Sequence, residues 1–332
     1  MNRDAQHDIS VVICAYTEAR WNDLVAAVQA VQQQALSPRE IVVVIDHNPA
    51  LLERTRANIP GVIVVENREA RGVAGGRNTG VAVAQGDIVA FLDEDAMAEP
   101  DWLVQLSAGY EDPRVLGVGG SIEPLWLGGR PRWFPEEFDW IVGCTYRGMP
   151  ETTAPVRNLM GANMSFLRAV FQETGGFRTD MGRVGTIPLG DEETEFCIRV
   201  RQRWPQNVLL YEPRARACHR VPASRARWSY FSARCYGEGA GKARVSHAVG
   251  ARDGLASERT YTFRTLPKGV ARGLADTLFH FDPAGVVRAG AIVAGLAITT
   301  AGYLRSRASS RLGTRATTVT QATAVHEQQP DS

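Results

Sequence analysis

Short hydrophobic runs alternate with helical patterns through the first 92 residues of the chain. Four runs rich in β-branched residues lie at residues 9–14, 41–45, 62–65 and 88–92. Such runs are typical of fully buried strands, whereas Leu24, Val28 and Val31 follow the first run at helical spacing. Strands that alternate with helices are joined by right-handed crossovers and lie parallel. The pattern therefore predicts a doubly wound α/β sheet.

Polar residues follow three of these four runs, at the point where each strand should end. Thr17 and Glu18 come after the first run, Asp46 follows the second, and Asp93 follows the fourth. In open α/β sheets, ligands bind outside the carboxyl ends of the strands. We therefore expect these side chains to line a single crevice.

The fourth run ends in three consecutive acids, Asp93, Glu94 and Asp95. Alternate residues of a strand point the same way, so Asp93 and Asp95 lie on one side and Glu94 lies on the other. Two carboxylates at a strand tip suit Mg²⁺ or Mn²⁺ that is shared with the phosphates of a substrate. A solvated acidic turn would give the same short pattern, so the neighbouring motifs decide between the two interpretations.

The middle of the chain loses this regularity. Between residues 124 and 146, aromatic residues that include Trp126 and Trp140 are scattered among prolines and glycines. We interpret this segment as an excursion from the sheet, either a lid or hydrophobic plug or an aromatic platform for a substrate. Farther on, Asp191 and the acids after it predict a helix N-terminus, and residues 208–211 predict a strand followed by an arginine-rich loop.

Composition excludes several classes of protein. The 332-residue chain has 44% hydrophobic and 22% charged residues, which is ordinary for a globular protein. Lys and Arg number 37 against 36 Asp and Glu, so the overall charge does not favour a nucleic-acid partner. Five scattered cysteines without a Cys-x-x-Cys pair argue against a disulfide framework and indicate the reducing cytosol. The N-terminus lacks the apolar segment of a signal peptide.

One C-terminal segment has three interpretations. Residues 289–304 form a nearly uncharged run, with Arg288 before it and Arg305 and Arg307 after it. The run is shorter than the roughly 20 residues that span a bilayer. It therefore fits an interfacial helix beside a membrane, or a helix in the core or in an oligomer interface, better than a membrane span. Residues after about 311 are rich in Thr, Ala and Gln and are expected to be disordered.

Taken together, these motifs resemble the bacterial family-2 glycosyltransferases. The matching stretches cover about residues 8–220, and GVAGGRNTGVAVAQGDIVAFLDEDA at 72–96 is the most specific of them. The others are VVICAYTEAR at 11–20, EIVVVIDHNP at 40–49, PDWL at 100–103, GANMSFLRAVFQETGGF at 161–177 and GDEETEFCIR at 190–199. Two positions depart from the family pattern, since Cys14 replaces a usual proline and His47 replaces a second aspartate. The resemblance implies an α/β glycosyltransferase A-type fold, with a Rossmann-like nucleotide-binding half, a mixed central sheet and a C-terminal helical extension.

The resemblance implies a nucleotide site at the tips of the first strands. Tyr16 and Glu18 would flank the base and the ribose, and Asp46 would accept a hydrogen bond from the imide N–H of the base. Arg77 would reach the ribose or the phosphates, and Asp93 would lie towards the ribose. The implied nucleotide-binding residues are Ala15, Tyr16, Glu18, Asp46, Arg77 and Asp93.

The resemblance also implies a cofactor, Mn²⁺ or Mg²⁺, held by Asp93, Asp95 and His219. A catalytic base belongs at the acid-rich helix start, where Glu193 aligns with the aspartate of the family and Glu192 is the alternative. A carboxylate there would take the proton of an acceptor hydroxyl as the oxygen attacks the anomeric carbon. The expected acceptor-binding residues are Trp126, Trp140 and Asn163.

The implied activity is that of a metal-dependent inverting glycosyltransferase, specifically a hexosyltransferase of carbohydrate biosynthesis. It would move a sugar from a nucleotide-diphosphate sugar, foremost a UDP-sugar, to a hydroxyl of a glycan, a lipid-linked or a small-molecule acceptor. A non-catalytic nucleotide-sugar-binding or scaffold protein of the same fold should lack one of the two acidic motifs, and both are present. A sugar nucleotidyltransferase should have a glycine-rich loop directly after the first strand, where residues 15–20 contain no glycine.

We expect residues 1–120 to form the nucleotide-sugar-binding half and residues 121–222 to form the half that binds the acceptor and supplies the base. Residues 223–311 would be a C-terminal helical extension, membrane-associated in one interpretation, and residues 312–332 a disordered tail. The expected location is the cytoplasm, with a peripheral membrane contact at the inner face of the plasma membrane.

Overall fold

A computed structural model describes residues 8–182, 190–250 and 259–326 of the chain, with side chains up to Ser309. The strands of this part are β1 (Ile9–Ala15), β2 (Glu40–Ile45), β3 (Ile63–Glu66), β4 (Ile88–Asp93), β5 (Ala96–Ala98), β6 (Val115–Trp126), β7 (Ala154–Val156), β8 (Asn163–Leu167) and β9 (Val208–Val221). Its α-helices are α1 (Trp21–Gln32), α2 (Pro49–Asn58), α3 (Val73–Val83), α4 (Trp102–Ala108), α5 (Arg168–Thr174), α6 (Glu192–Arg203), α7 (Trp228–Val249), α8 (Leu266–Phe279) and α9 (Ala284–His326).

The strands form one mixed sheet in the order β3-β2-β1-β4-β8-β6-β9-β5, and β7 pairs with β9. β1 is parallel to β2 and β4, and β2 is parallel to β3. β8 runs antiparallel between β4 and β6, whereas β9 is parallel to β6. The first four strands therefore form the predicted Rossmann-like half, and β8 makes the central sheet mixed, as expected.

Both faces of β1, β2 and β4 are covered, which explains why these strands read as continuous hydrophobic runs, whereas β3 at the edge of the sheet is only partly buried. Val11 and Ile13 of β1 pack on one side in a core that includes Leu24 of α1. Val12 points to the opposite side and packs in a second core with Phe91 of β4. The carboxyl ends of these strands remain uncovered by this packing and are the place where polar residues gather.

The structure corrects one boundary. The predicted arginine-rich loop after residue 211 is part of β9, which continues to Val221 and pairs with β6 for most of its length. Ala215, Ala217 and His219 are buried, while Arg214 and Arg216 beside them are exposed. Alanine is a weak hydrophobic signal, so the period of two was hidden in the sequence.

The aromatic segment forms a core between the sheet and the C-terminal helices. A 3₁₀ helix covers Glu136–Val142, and Phe134 and Phe138 contact Phe231 of α7 with ring centroids 5.5 and 5.3 Å apart. Ile292 of α9 joins the same cluster. The hydrophobic-plug interpretation therefore describes the two phenylalanines of this segment.

The C-terminal helices pack on the catalytic body. α9 lies so close to α7 that a side chain at Gly239 would collide with the carbonyl oxygen of Thr299, and one at Gly302 would collide with that of Tyr236. Glycine at these positions lets the two helix backbones touch. The expected helical extension is therefore joined tightly to the body that precedes it.

α9 runs from Ala284 to His326, so it includes residues 289–304 and continues past residue 312, where a disordered tail was expected. The part Ala284–Ser309 is long and apolar enough to cross a membrane by length and composition, and 28% of its apolar window is buried. This partial burial does not fit a helix enclosed in a protein core.

Candidate active site

Asp93, Asp95 and His219 meet at the carboxyl end of β4. Asp93 is the last residue of that strand, and β9 brings His219 alongside because His219 pairs with Ala96 of β5. One potential ligand atom of each of the three side chains lies within 4.8 Å of the other two. Carboxylate oxygens and an imidazole nitrogen suit Mn²⁺. The three residues form a candidate metal site with the composition expected from the sequence.

The two oxygens of Asp95 have different surroundings. Oδ1 lies 3.0 Å from Nε2 of His219, close to the spacing of about 3 Å between adjacent ligands of an octahedral ion with bonds of ~2.1 Å. Oδ2 faces Arg20 at 3.2 Å and Arg225 at 3.4 Å. Burial alone would raise the pKa of Asp95, but His219, Arg20 and Arg225 outweigh it and hold this pKa well below its usual range. Asp95 is therefore an ionised carboxylate, oriented by two guanidinium groups, and a candidate metal ligand.

Glu94 lies with Asp95 in the turn that follows β4, so the expected strand alternation does not separate these two residues, and both contact Arg20. The carboxylate of Glu94 accepts hydrogen bonds from Arg20 at 2.9 Å and from the backbone N–H of Tyr16 at 3.3 Å. Burial raises the pKa of Glu94 to about 8 in spite of Arg20. Sequence reasoning missed Arg20, although its place after the first strand tip was a usable signal. This arginine ties the first strand tip to two of the acids after the fourth strand.

A cavity of about 140 Å³ lies over the candidate metal site. Of the expected nucleotide-binding residues, Ala15, Tyr16, Asp46 and Asp93 line it. Glu18 does not, because it is exposed and lies 3.6 Å from Arg54. The expected contact of Glu18 with the nucleotide is therefore not supported by its position.

Asp46 is held rigidly at the edge of the smaller cavity. Oδ1 accepts a hydrogen bond from Nδ2 of Asn67 at 2.7 Å, and Oδ2 accepts one from the backbone N–H of Gly72 at 3.0 Å. Gly72 directly precedes α3, so the glycine-rich segment fixes the orientation of this carboxylate. Each oxygen keeps a second lone pair that can accept from a base.

Arg77 connects Asp93 at the end of β4 with Glu192 at the start of α6. Its Nη1 donates to Oε1 of Glu192 at 2.7 Å, and its Nη2 contacts Oδ1 of Asp93 at 3.3 Å and donates to the carbonyl of Gly161 at 3.0 Å. The guanidinium is buried and lines the larger cavity described below instead of the smaller one. Its expected contact with ribose or phosphate is thus replaced by contacts with the protein.

A second cavity, of about 430 Å³, adjoins the first. Val73, Asp93, Gly143 and Arg234 line both cavities. A group bound in the larger cavity therefore lies beside the acid that closes β4. This arrangement gives separate but adjoining spaces for two substrates.

Glu193 lines the larger cavity near the start of α6. It makes no hydrogen bond or ion pair with another residue in the described parts of the chain, whereas Glu192 is bound to Arg77. Burial raises the pKa of Glu193 well above its usual value, and the nearby Glu192 and Asp191 raise it further. Asp191 precedes the helix as predicted, but its side chain makes no capping hydrogen bond.

Two of the expected acceptor residues lie in different surroundings. Trp140 lines the larger cavity, where its Nε1 donates to Oη of Tyr261 at 2.9 Å. Trp126 packs edge to face against Phe134 and lines neither cavity. The acceptor role of Trp140 stays a prediction, whereas the assignment of Trp126 is corrected.

The assignment of Asn163 is also corrected. Its side chain is fully buried in the sheet, where Nδ2 donates to the carbonyls of Ser121 and Ala215 at 2.9 and 2.8 Å. Its Oδ1 accepts a hydrogen bond from Nε1 of Trp102 at 2.7 Å. With every donor and one acceptor position used inside the protein, Asn163 stabilises the junction of strands and does not reach an acceptor.

Sequence reasoning missed the contribution of the C-terminal helices to the larger cavity. Tyr261, Leu296, Thr299 and Tyr303 line it beside Trp140. These residues come from the π-helical turn Tyr261–Thr265 and from α9. No motif marked them, because tertiary packing and not a local sequence pattern brings them to the cavity.

The mixed sheet, the acids after β4 and the acid-rich start of α6 define the class of a glycosyltransferase with an A-type fold. The family model described as "Glycosyl transferase family 2" matches residues 10–175, which is half of the chain. The chain belongs to this family and is a glycosyltransferase.

Proteins of known sequence support this membership. The chain is 37% identical to the glucosyl-dolichyl phosphate glucuronosyltransferase of the archaeon Haloferax volcanii over 238 residues, which are 70% of this chain and 76% of the relative. It is 28% identical to the pre-mycofactocin glycosyltransferase of Mycobacterium tuberculosis over 157 residues, 47% of this chain and 32% of that relative.

Two solved structures have the same fold. The mannosyltransferase PcManGT of Pyrobaculum calidifontis, in complex with GDP-Man and Mn²⁺, aligns with a TM-score of 0.56 and 17% identity over 90% of this chain and 88% of its own. GalNAc-T7 with UDP, GalNAc and Mn²⁺ aligns with a TM-score of 0.51 and 21% identity over 66% of this chain and 44% of its own. The predicted A-type fold is thereby confirmed.

Proposed function

We propose that this glycosyltransferase is a metal-dependent inverting hexosyltransferase that uses a nucleotide-diphosphate sugar, foremost a UDP-sugar. The main support is the position of Glu193. It lines a cavity beside Asp93 of the candidate metal site, and its carboxylate makes no hydrogen bond or ion pair with another residue in the described parts of the chain. The acceptor is a hydroxyl of a glycan or small molecule, or of a sugar on a lipid phosphate. The lipid-linked acceptor comes first, because the 37% identical relative is named for action on glucosyl-dolichyl phosphate.

The smaller cavity suits the donor. Tyr16 offers a ring beside the nucleotide base, and the fixed carboxylate of Asp46 accepts a hydrogen bond from the base N–H. Asp93, Asp95 and His219 would hold Mn²⁺ or Mg²⁺, which when bound supplies positive charge for the departing diphosphate.

The larger cavity suits the acceptor. Trp140 and Tyr261 present aromatic surface to a sugar ring, and Glu193 takes the proton of the attacking hydroxyl. The acceptor oxygen forms a bond to the anomeric carbon while the bond between that carbon and the phosphate oxygen breaks. The electron pair of the broken bond leaves with the nucleoside diphosphate. One displacement from the opposite side inverts the anomeric configuration.

The test is transfer by the purified full-length chain across UDP-, dTDP- and GDP-sugars, with Mn²⁺ or Mg²⁺ and a prenyl-phosphate-linked glucose. We expect metal-dependent release of one nucleotide that requires the acceptor, and a product whose anomeric configuration is opposite to that of the donor. Nucleotide binding without transfer to any acceptor hydroxyl would instead indicate a binding protein. Retention of configuration would refute the role of Glu193 as a base in a single displacement.

We place the reaction at the cytoplasmic side of a membrane. The five cysteines are all unpaired, which suits a reducing compartment. The expected bacterial origin stays a prediction, since the relatives include an archaeal and a mycobacterial protein.

A further inference from the structure

Helices α8 and α9 form an antiparallel hairpin with an exposed apolar outward face. Phe279 and Phe281, at the turn of the hairpin, are 75% and 87% exposed. Phe281 has a φ of 52°, which is unusual for a bulky side chain and holds its ring at the tip of the turn. The residues of this outward face are Leu274, Leu278, Phe279, Phe281, Val286, Val287, Val293 and Leu304. An apolar surface of this kind usually marks a binding partner.

The exposed apolar residues of the outward face follow the periodicity of each helix. Leu274 and Leu278 of α8 are four residues apart, and Val286, Val293 and Leu304 of α9 are seven and eleven residues apart, which is close to whole turns of a helix. Side chains at this spacing share one side of a helix. Each helix of the hairpin therefore carries an exposed apolar stripe.

The inner face of the hairpin packs against the rest of the protein. Leu266 and Ile292 are buried in the aromatic core, and Leu296 and Tyr303 line the larger cavity. If α9 left the body to cross a bilayer, it would open this cavity and expose the core. The packing therefore favours a helix that lies along a membrane over one that spans it.

The charge around the outward face is positive. Residues 259–309 contain seven basic residues and two acids, Asp276 and Asp282. Both acids are bound by Arg288, at 2.8 and 3.0 Å. Arg264 and Lys268 are exposed and have no ion-pair partner in the described parts of the chain. The basic residues without a partner suit anionic lipid headgroups.

We propose that the outward face of the α8–α9 hairpin docks flat on an anionic lipid bilayer. The purpose of this contact rests on the proposed function, since a lipid-linked sugar must reach the larger cavity from the membrane surface. α9 presents Val293 and Leu304 to the lipid and Leu296 and Tyr303 to the cavity. The bilayer and the acceptor site would thus adjoin the same helix.

Flotation with vesicles tests the contact without any acceptor or donor. The full chain should float with vesicles of phosphatidylcholine and phosphatidylglycerol, and much less with phosphatidylcholine alone or at high salt. The double variant Phe279→Ser, Phe281→Ser should lose at least about tenfold in vesicle partitioning, because two exposed aromatic rings no longer enter the interface. The matched control is Val104→Ser with Leu127→Ser, which removes two exposed apolar side chains outside the hairpin and should float like the original protein.

Three outcomes would overturn the proposal. Equal flotation of the Phe279→Ser, Phe281→Ser variant and the original protein would place the contact elsewhere. A dimer in light scattering that this variant converts to a monomer, with no flotation of either, would assign the outward face to a second copy. Retention of the full chain in vesicles after alkaline carbonate extraction would indicate a span. Binding of UDP and Mn²⁺ by the variant, measured without vesicles, separates loss of docking from failure of the proposed function.

Discussion

Arg77 and Glu192 form a buried ion pair, with 2.7 Å between Nη1 and Oε1. This pair distinguishes two adjacent acids that sequence alone presents as near equivalents. Glu192 is neutralised by Arg77 and supports the buried guanidinium, whereas Glu193 faces the larger cavity without such a partner. A base must be able to approach the acceptor hydroxyl and receive its proton, so the ion pair favours Glu193 over Glu192.

Glu193→Gln should bind nucleotide and metal normally and lose transfer by about 10²- to 10⁴-fold in kcat, because the amide cannot accept a proton. Its free energy of unfolding should be unchanged or higher, since a raised pKa means that the ionised carboxyl is disfavoured in the folded protein. Single-turnover transfer and urea unfolding measure the two effects.

Glu192→Gln is the matched control for this substitution. It leaves the charge of Arg77 without its closest partner, so we expect the free energy of unfolding to fall by about 3 kcal/mol. The chemical step in the remaining folded enzyme should fall less than in Glu193→Gln. A dead Glu192→Gln beside an active Glu193→Gln would reverse the assignment.

The kcat/KM of transfer should rise with pH until the pH reaches the raised pKa of Glu193. Below that pKa the carboxyl is protonated and cannot act as a base, so kcat/KM should increase about tenfold per pH unit until Glu193 ionises. The profile, measured with Mg²⁺, should lose this limb in Glu193→Gln. A flat profile in the original enzyme over the neutral range would argue against a base with a raised pKa.

Asp95→Asn should abolish metal-dependent binding of UDP in calorimetry. The substitution keeps the shape of the side chain but removes the charge that faces His219, and Arg20 and Arg225 are left without their shared partner. Asp93→Asn should weaken binding less, because Asp93 is more exposed and already shares its charge with Arg77. Chelation of the original enzyme should give the same loss and be reversed by Mn²⁺. Unchanged UDP affinity in Asp95→Asn would refute the candidate metal site.

Trp140→Ala should weaken binding of the acceptor, whereas Trp126→Ala should weaken only the packing of the protein. Trp140 lines the larger cavity and donates to Tyr261, so its loss should raise the acceptor KM by about tenfold or more while the donor KM stays constant. Trp126 contacts Phe134 outside both cavities, and its loss should lower stability without a specific effect on acceptor KM. Steady-state kinetics with varied acceptor concentration distinguish these results. An equal change of acceptor KM in both variants would contradict an acceptor contact that is specific to Trp140.

Asn163→Ala should lower the free energy of unfolding by about 3 kcal/mol or more, because it leaves three buried hydrogen-bonding groups without a partner. Asn207→Ala is a suitable control, since its side chain makes one exposed hydrogen bond to the carbonyl of Arg114. Urea unfolding measures both. A folded Asn163→Ala enzyme with normal stability and a raised acceptor KM would restore the acceptor role that the structure removes.

Part of the fold could be predicted from the sequence, because buried parallel strands appear in it as short hydrophobic runs. The runs that became β1, β2 and β4 are buried on both sides and therefore hydrophobic throughout. The antiparallel position of β8 and the length of β9 depend on pairing with distant strands, which leaves little trace in either segment. For the same reason, a mixed sheet was expected from resemblance and not from the hydrophobic pattern.

The sequence by itself determined where the acidic motifs lie and which chemistry they suit, since the hydrophobic run of β4 ends at Asp93 and two more acids follow it directly. Only the tertiary structure decided which side chains are accessible. It turned Asn163 inward between strands, paired Glu192 with Arg77, and brought α9 to the wall of the larger cavity. These outcomes depend on contacts between residues far apart in the chain, and the energy of such contacts has no periodic pattern in the sequence.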